Sequence, residues 1–233
     1  MYIRNIVNYV CKAWKNKDSG IWEVRGGQQH FVYSKLMCWV AVDRGIKMAG
    51  NRKEGFRLAN WEKTREIIRK VILTKGFNSR LNSFVQSFHS RNLDASNLLI
   101  PLMGFLPGDH PKVQGTINAV LNKLTFQETF VRRYDNDDGL KGEEGAFLIC
   151  TFWLIKALLL SGRKQKAKKI FANILKILSP TGLLAEEVDP RTGKLLGNIP
   201  QAFSHIGLIN CALYVGIIKG EKHKGPKPMG FRK

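Results

Sequence analysis

The sequence predicts an all-α protein, and three observations carry that prediction. Apolar residues recur at helical spacing through most of the 233 residues, as Ile3, Ile6 and Val7 illustrate. Two stretches, 145–160 and 203–218, are apolar over more than one helical face. Gly, Pro, Asp and Asn residues separate the periodic segments. The chain is therefore expected to fold as a layered assembly of helices.

Eight helices are predicted in chain order. The first contains Ile3 to Trp14, and the second contains Leu36 and Val40. The other six are expected at 58–75, 95–104, 111–124, 145–161, 164–178 and 201–219. The two stretches that are apolar nearly all round should be inner members of the assembly, because protein must cover several of their sides. The sequence at 106–112 is expected to cap the fifth helix at Asp109, with Pro111 just inside.

The charge balance is strongly basic but names no partner. The chain has 38 Lys and Arg against 18 Asp and Glu, a formal net charge of +20. Such a charge attracts polyanions and membrane surfaces. Much of the excess lies at 163–169, typical of a solvated helix face, and in a Gly- and Pro-rich end, which predicts a basic flexible tail at 220–233. The pattern does not favour a nucleic-acid partner.

The cysteines and histidines give no sign of a disulfide framework or a metal site. Four cysteines stand singly in apolar helical stretches and are expected to be buried free thiols. His89 and His205 lack partners at metal-ligand spacing, so no metal or other cofactor is expected. No segment reaches the roughly 18 apolar residues of a membrane span, and the N-terminus lacks a signal-peptide stretch. These features predict a cytoplasmic protein without a membrane partner.

Two short segments each present a carboxylate beside an aromatic or turn-forming neighbour. Glu23 lies in the segment 18–26, and Glu186 lies in the segment 182–198. Cleavage of a glycosidic bond requires one carboxylic acid to protonate the leaving oxygen and a second carboxylate for the water or the sugar carbon. The residues alone leave other interpretations open: Glu23 as a surface residue beside a core tryptophan, and Glu186 with Glu187 as a polar end before a turn.

Four separated runs carry a resemblance to a known family. The runs 20–49, 93–117, 133–163 and 182–210 resemble the glucoamylase and trehalase family of glycoside hydrolases, particularly its bacterial and archaeal branch. The resemblance extends in order from near residue 1 to about residue 219. It implies an (α/α)6 toroid with its active site in a pocket at one end of the barrel. It also implies exo-acting hydrolysis of α-glucosidic bonds with inversion of the anomeric configuration.

The resemblance also assigns catalytic roles. It places the general acid on Glu23 and the general base on Glu186, with Glu187 as the second residue to test. Inversion requires the two carboxyl groups to stand roughly 6.5–9.5 Å apart, so that a water fits between the base and the sugar. Burial beside Trp22 is expected to keep Glu23 protonated, whereas Glu186 is expected to be better solvated.

Four residues are predicted to bind substrate: Trp22, Arg25, Arg133 and Glu187. Trp22 offers an apolar plane for a sugar face. Arg133 matches the family's substrate-binding arginine, whose planar fork can hold two hydroxyl oxygens. Arg25 is expected to orient Glu23 or to bind sugar directly.

The chain departs from complete family members, which carry an N-terminal β-rich domain and twelve helices. Eight helices in residues 1–219 predict an incomplete toroid, the C-terminal part of a catalytic domain. Three functions remain open: a glucoamylase-like or trehalase-like hydrolase; a truncated, non-catalytic remnant or sugar-binding module that needs a partner chain for the missing N-terminal part; and, least favoured, a basic nucleic-acid-binding helical protein. The sequence does not choose between starch-type oligosaccharides and trehalose.

Overall fold

The computed structural model of the chain describes residues 2–50, 57–135 and 144–218. In these ranges the chain forms eight α-helices: α1 Tyr2–Ala13, α2 Val32–Ala49, α3 Leu58–Lys75, α4 Leu99–Leu102, α5 Pro111–Lys123, α6 Leu148–Leu160, α7 Lys164–Leu175 and α8 Ala202–Ile218. A 3-10 helix at Ala95–Leu98 runs directly into α4. The all-α prediction is confirmed, and each predicted helix has its counterpart. The predicted tail at 220–233 lies outside the described residues.

In the described ranges, short strands form three small antiparallel sheets in the connections between helices. Strand β1 (Phe77–Asn78) pairs with β2 (Ser83–Phe84), and β3 (Thr125–Phe126) pairs with β4 (Phe130–Val131). The third sheet has the order β5-β6-β7 and comprises Ala146–Phe147, Glu187–Val188 and Leu195–Leu196. This sheet ties the start of α6 to the connection between α7 and α8.

The helices alternate between two layers along the chain. Four elements contact one another in succession: α2, the segment 95–102, α6 and α8. Helices α1 and α3 pack on α2, α5 packs on the segment 95–102, and α7 packs on α6. The first four elements therefore form one row, and α1, α3, α5 and α7 form a second row packed against it. The buried core runs through both rows, with Leu36, Leu98 and Phe152 among its least exposed side chains.

Two glycines allow close helix packing. A Cβ on Gly45 of α2 would lie 2.6 Å from a methyl group of Val7 on α1. A Cβ on Gly207 of α8 would lie 2.5 Å from the ring of Phe152 on α6. Both distances are too short for real carbon contacts, so a larger residue at either position would push the helices apart.

The prediction that the two most apolar helices are inner members holds fully for only one of them. Helix α6 is covered by α4, α7 and α8, and nine of its residues are buried. Helix α8 packs one face on α6, whereas Phe203, Ile206 and Ile209 on the opposite face are more than half exposed. The sequence predicts the apolar character of α8 but not which side of it is covered.

The start of α5 corrects the predicted cap. His110, not Asp109, precedes the helix in an extended conformation, and its Nδ1 accepts a hydrogen bond of 3.1 Å from the backbone N–H of Lys112. Pro111 is the first helical residue, as predicted. An imidazole nitrogen can accept a hydrogen bond from a free backbone N–H of the first turn, so a histidine caps the helix where an aspartate was expected.

Two further points concern the cysteine thiols and the question of a membrane-spanning helix. All four cysteines are free, but only Cys150 and Cys211 are buried, whereas Cys11 and Cys38 are half-buried. Within the described residues, no helix combines the length and the apolar character that crossing a bilayer requires.

Candidate active site

A loop between α1 and α2 carries Trp22, Glu23 and Arg25. Its neck closes where Asp18 and Gln29 exchange two backbone hydrogen bonds of 3.0 and 2.9 Å. The Asp18 carboxylate accepts hydrogen bonds from Ser34 Oγ at 2.5 Å and from Lys35 Nζ at 3.3 Å, both on α2. The loop is thus fastened to the first turn of α2.

Trp22 is the anchored residue of this loop. Its Nε1–H donates to both carboxylate oxygens of Asp94, at 3.0 Å each. Its ring meets Phe147 edge-on, with centroids 5.6 Å apart, and lies 6.0 Å from Trp153. The indole is half-buried. An aromatic plane fixed at its polar end in this way suits contact with the apolar face of a sugar ring.

Arg133 lies against the same aromatic group. Its Cζ is 5.5 Å from the Trp22 ring centroid and 5.4 Å from that of Phe147. Its guanidinium forms an ion pair with Glu144. Burial lowers the pKa of Arg133, but the hydrogen bond and the negative charge of Glu144 outweigh burial and raise it overall. Its Nε is buried without a hydrogen-bond partner in the described part of the chain.

Glu187 faces this arginine from strand β6. It is paired in register with Phe147 of β5, and a Cβ on Gly145 would lie 2.8 Å from its Oε2. Burial raises the pKa of Glu187, and the negative charges of Glu144 and Glu186 raise it further, whereas Arg133 lowers it. Glu187 therefore keeps a proton more readily than an ordinary glutamate does.

Glu186 points to another group of neighbours. Its Oε2 accepts hydrogen bonds from the side chain of Asn198 at 2.9 Å and from the Asn198 backbone N–H at 3.3 Å. Gly197 has φ +72°, and a Cβ there would lie 3.0 Å from the same oxygen. The turn after β7 thus leaves room for the Glu186 carboxylate and hydrogen-bonds to it.

Glu23 and Arg25 are exposed, which corrects one expectation. The neighbours of Glu23 predict burial of its carboxylate, and that burial is not found, whereas Glu186 is half-buried rather than better solvated. In the ranges described here, neither Glu23 nor Arg25 makes a hydrogen bond or ion pair through its side chain. Glu23 has φ +50°, a conformation that costs a non-glycine residue roughly 1–2 kcal/mol.

The structure brings some of the predicted residues together and leaves others apart. Trp22, Arg133 and Glu187 belong to one cluster, and Glu186 adjoins it through the backbone of β6. Glu23 and Arg25 are joined to the cluster by the loop that carries Trp22. The separation of the Glu23 and Glu186 carboxyl groups and the catalytic roles of both stay predictions.

Sequence reasoning missed two acids of the cluster, Asp94 and Glu144. Asp94 follows Leu93 without a helical or turn spacing that would single it out, and Glu144 is one of two adjacent glutamates in a polar loop. Their partners Trp22 and Arg133 are 72 and 11 residues away. In the described ranges, no group of His, Cys, Asp and Glu side chains is arranged to hold a metal ion.

The fold consists of two layers of helices, and acids, an arginine and aromatic rings are grouped at its loops. This combination is typical of one class of protein, the helical-toroid glycoside hydrolases. Within this class the family is shown by the sequence. The chain belongs to glycosyl hydrolases family 15, whose pattern matches residues 1–213.

Curated relatives of the chain are trehalases. The trehalase of Mycolicibacterium smegmatis is 45% identical over 216 residues, which cover 91% of this chain and 32% of that protein. The trehalase of Thermoplasma volcanium is 39% identical over 211 residues, covering 91% and 34%. The chain therefore spans about a third of the length of these relatives. It corresponds to the C-terminal part of the family's catalytic domain.

Solved glucoamylase structures share the fold. A bacterial glucoamylase complexed with acarbose superposes with a TM-score of 0.77 at 14% identity, covering 93% of this chain and 37% of that one. The glucoamylase of Saccharomycopsis fibuligera superposes with a TM-score of 0.75 at 14% identity, covering 93% and 61%. The predicted (α/α)6 toroid is confirmed, and eight of its helices lie in the described residues.

Proposed function

We propose that this chain forms the C-terminal part of the catalytic domain of a trehalase-like glycoside hydrolase. The observation that carries the proposal is the cluster of Trp22, Arg133 and Glu187, contributed by three separate segments of the toroid. The trehalases among its relatives, at 39–45% identity, favour trehalose over starch-type oligosaccharides as substrate.

The proposed reaction inverts the configuration at the anomeric carbon. Glu23 protonates the glycosidic oxygen as the bond to C1 breaks, and Glu186 takes a proton from the water that attacks C1 from the opposite face. Trehalose then yields one α-glucose and one β-glucose. The hydrogen bonds from Asn198 orient the Glu186 carboxylate for this step.

The other residues of the site bind and orient the sugar. The Trp22 ring supports the apolar face of a glucose unit, and the planar guanidinium of Arg133 donates to sugar hydroxyls. Glu187, with its raised pKa, is the second carboxyl group that can hold a proton near the glycosidic oxygen. The exposed conformation of Glu23 requires that substrate or further polypeptide desolvate it before it acts as an acid.

Trehalose hydrolysis followed by NMR of the anomeric protons tests this proposal. We expect β-glucose to appear in an equal amount to α-glucose before mutarotation. Glu23→Gln and Glu186→Gln should each lower kcat about 10²–10⁴-fold, because each removes a proton-transfer group. Glu128→Gln is the matched control, because Glu128 is also an exposed glutamate at positive φ, 54°, but lies outside the cluster.

Three outcomes would contradict parts of the proposal. Full loss in Glu187→Gln with activity kept in Glu186→Gln would exchange the roles of the two neighbours. Initial release of α-glucose alone would exclude inversion. Trehalose binding without hydrolysis, even with the rest of a catalytic domain supplied, would identify a non-catalytic sugar-binding remnant.

We also propose that a further helical polypeptide covers two exposed apolar faces of this chain. One face is on α1 and the other on α8, the first and the last of the described helices. Their members are 44–81% and 40–64% exposed and comprise Tyr2, Ile3, Ile6 and Tyr9, and Phe203, Ile206, Ile209 and Leu213. Faces of this kind rarely stay open to water. The solved toroids contain further chain, since only 61% of the Saccharomycopsis fibuligera glucoamylase is matched.

Co-expression tests whether this polypeptide is the helical remainder of the catalytic domain. The two thirds of the Mycolicibacterium smegmatis trehalase that this chain does not match should co-purify with it and raise trehalose hydrolysis. Glutamate at Ile6 and Ile209 should abolish co-purification, whereas Leu175→Glu, an exposed leucine on α7, should not. Full activity of the chain alone, with no complex formed, would contradict the proposal.

A further inference from the structure

Asp94 is a buried carboxylate that no proposed catalytic step uses. Asp94 is 3% exposed, and it lies 72 positions from Trp22 in the chain. It accepts hydrogen bonds from Trp22 Nε1 at 3.0 Å on each oxygen, from the backbone N–H of Ser96 at 2.7 Å and from Gln86 Nε2 at 3.3 Å. Burial raises the pKa of Asp94, and the hydrogen bonds from Ser96, Trp22 and Gln86 oppose that rise by stabilising the buried carboxylate.

Capping alone does not account for this carboxylate. Asp94 caps the 3-10 helix Ala95–Leu98 through one oxygen, Oδ1, which accepts from the Ser96 N–H. Asparagine or serine could supply that single acceptor. The second oxygen, Oδ2, accepts from Trp22 and Gln86. The carboxylate therefore receives three donors together, the cap amide, the indole N–H and the Gln86 side-chain amide, which is more than capping requires.

The backbone of the same residue holds the other side of the cluster. Asp94 forms a β-bridge with Tyr134, and the N–H of Ala95 donates to the carbonyl of Arg133 at 2.8 Å. The side chain of Asp94 thus holds the indole, and the backbone at Asp94 and Ala95 holds the segment that carries the guanidinium. These two groups lie 5.5 Å apart, from Arg133 Cζ to the Trp22 ring centroid.

We propose that Asp94 is a positioning residue, which fixes the plane of the Trp22 indole relative to the Arg133 guanidinium so that both meet one sugar ring. The identity of that ligand rests on the proposed function. Asp94 itself does not reach the sugar, because it is buried behind the indole N–H. Its effect on substrate therefore passes through Trp22.

The positioning claim can be tested without catalysis. The sequence contains five tryptophans, and the indole N–H resonance of Trp22 is the one absent from the ¹H–¹⁵N spectrum of Trp22→Phe. In Asp94→Asn, which keeps size and one acceptor, that resonance should shift and its exchange with solvent should rise about tenfold or more, because a charged acceptor is lost. The other four indole resonances should stay in place. An unchanged Trp22 resonance and exchange rate would overturn the proposal.

A double-mutant cycle on trehalose binding or hydrolysis tests whether Asp94 acts through Trp22. Asp94→Asn alone should lower kcat/KM about tenfold, and it should add less than about twofold when Trp22 is already Phe. Asp135→Asn is the control, because Asp135 accepts a hydrogen bond of 2.6 Å from the N–H of Leu93 in the same segment without touching Trp22. Its cost should be equal in both backgrounds.

The outcomes separate this inference from the proposed function. Independent, multiplying effects of Asp94→Asn and Trp22→Phe would overturn the positioning role even in an active enzyme. If the unmodified chain, with the rest of a catalytic domain, neither binds nor hydrolyses trehalose, the proposed function fails. The indole resonance then still decides whether Asp94 fixes Trp22.

Discussion

Glu187 shows how one side chain in the cluster ties stability to pH. Burial raises its pKa above the ordinary value, and the charges of Glu144 and Glu186 add to the shift. The native state therefore holds this proton more tightly than the unfolded state does. Protonated Glu187 therefore contributes to the free energy of unfolding. This contribution is fully present below the pKa of glutamate in the unfolded state, roughly 4.3, and it is lost as the pH rises through the higher pKa of the folded state.

The resulting prediction concerns Glu187→Gln, which mimics the protonated side chain. The melting temperature of this variant should match that of the unmodified protein near pH 4 and exceed it increasingly toward pH 7. Thermal unfolding across this pH range measures the difference. Glu128→Gln gives the opposite sign, because Lys169 lowers the pKa of the exposed Glu128 and that carboxylate stabilises the fold only when charged. A melting difference for Glu187→Gln that does not change with pH would contradict the assignment.

The residues that the sequence could predict are those that a family resemblance names. Trp22 and Arg133 fall in quoted runs and do share one cluster. Asp94 and Glu144 lie in the same runs but became visible only through contacts across 72 and 11 residues. The burial of Glu23 was predicted from its chain neighbours, yet Trp22 turns its ring toward Asp94 and Phe147 and leaves Glu23 exposed. Chain adjacency does not decide which side a side chain takes in a loop.

At the scale of elements, the loop 18–29 depends on its attachment to α2. The side chain of Lys35 is 3% exposed, and its Nζ donates to the carbonyl of Asn16 at 2.5 Å and to Asp18 at 3.3 Å. Both acceptors are at the neck of the loop. The loop therefore keeps its place because a buried charge on a helix is satisfied only when the neck is closed.

Lys35→Met should open this neck. We expect a loss of about 1–3 kcal/mol in the free energy of unfolding, because the carbonyl of Asn16 and the carboxylate of Asp18 lose the buried donor that joins them to α2. Limited proteolysis should cut within 18–29 before it cuts elsewhere in the described ranges. Lys63→Met is the control, an exposed lysine on α3 whose loss should change stability by less than about 0.5 kcal/mol. Equal cleavage rates in the two variants would show that Lys35 does not hold the loop.

The helices were more predictable than the small sheets. Predicted and observed bounds coincide at Leu58–Lys75 and differ by a few residues elsewhere, because long apolar periods mark helices clearly. Each strand has only two residues, which is too short for an alternating apolar and polar pattern to be recognised in the sequence. The β5-β6-β7 sheet nevertheless places Glu187 opposite Phe147, so the part of the fold that was hardest to predict is the part that assembles the site.

For the whole molecule, the exposed faces of α1 and α8 decide how the chain behaves on its own. The core between the two rows is closed, and Leu36, Phe152 and Tyr214 are almost completely buried. The two end faces are not, although their composition is as apolar as that of the core. The sequence predicts this incompleteness from the helix count, but only the structure shows which four side chains of α8 face outward.

The isolated chain should therefore self-associate through α8. Ile206 and Ile209 are 54% and 60% exposed on adjacent turns, and contact between two such faces removes apolar surface from water at about 25 cal/mol per Å². In sedimentation analysis, the unmodified chain should exceed its monomer mass of 26.4 kDa, and Ile206→Glu/Ile209→Glu should shift it toward that mass. The charges lie in water on the exposed face, so the melting temperature should hardly change. Leu175→Glu changes an isolated exposed leucine on α7 and should leave association intact. Association that persists in the double variant would place the contact elsewhere and leave the α8 face without a demonstrated partner.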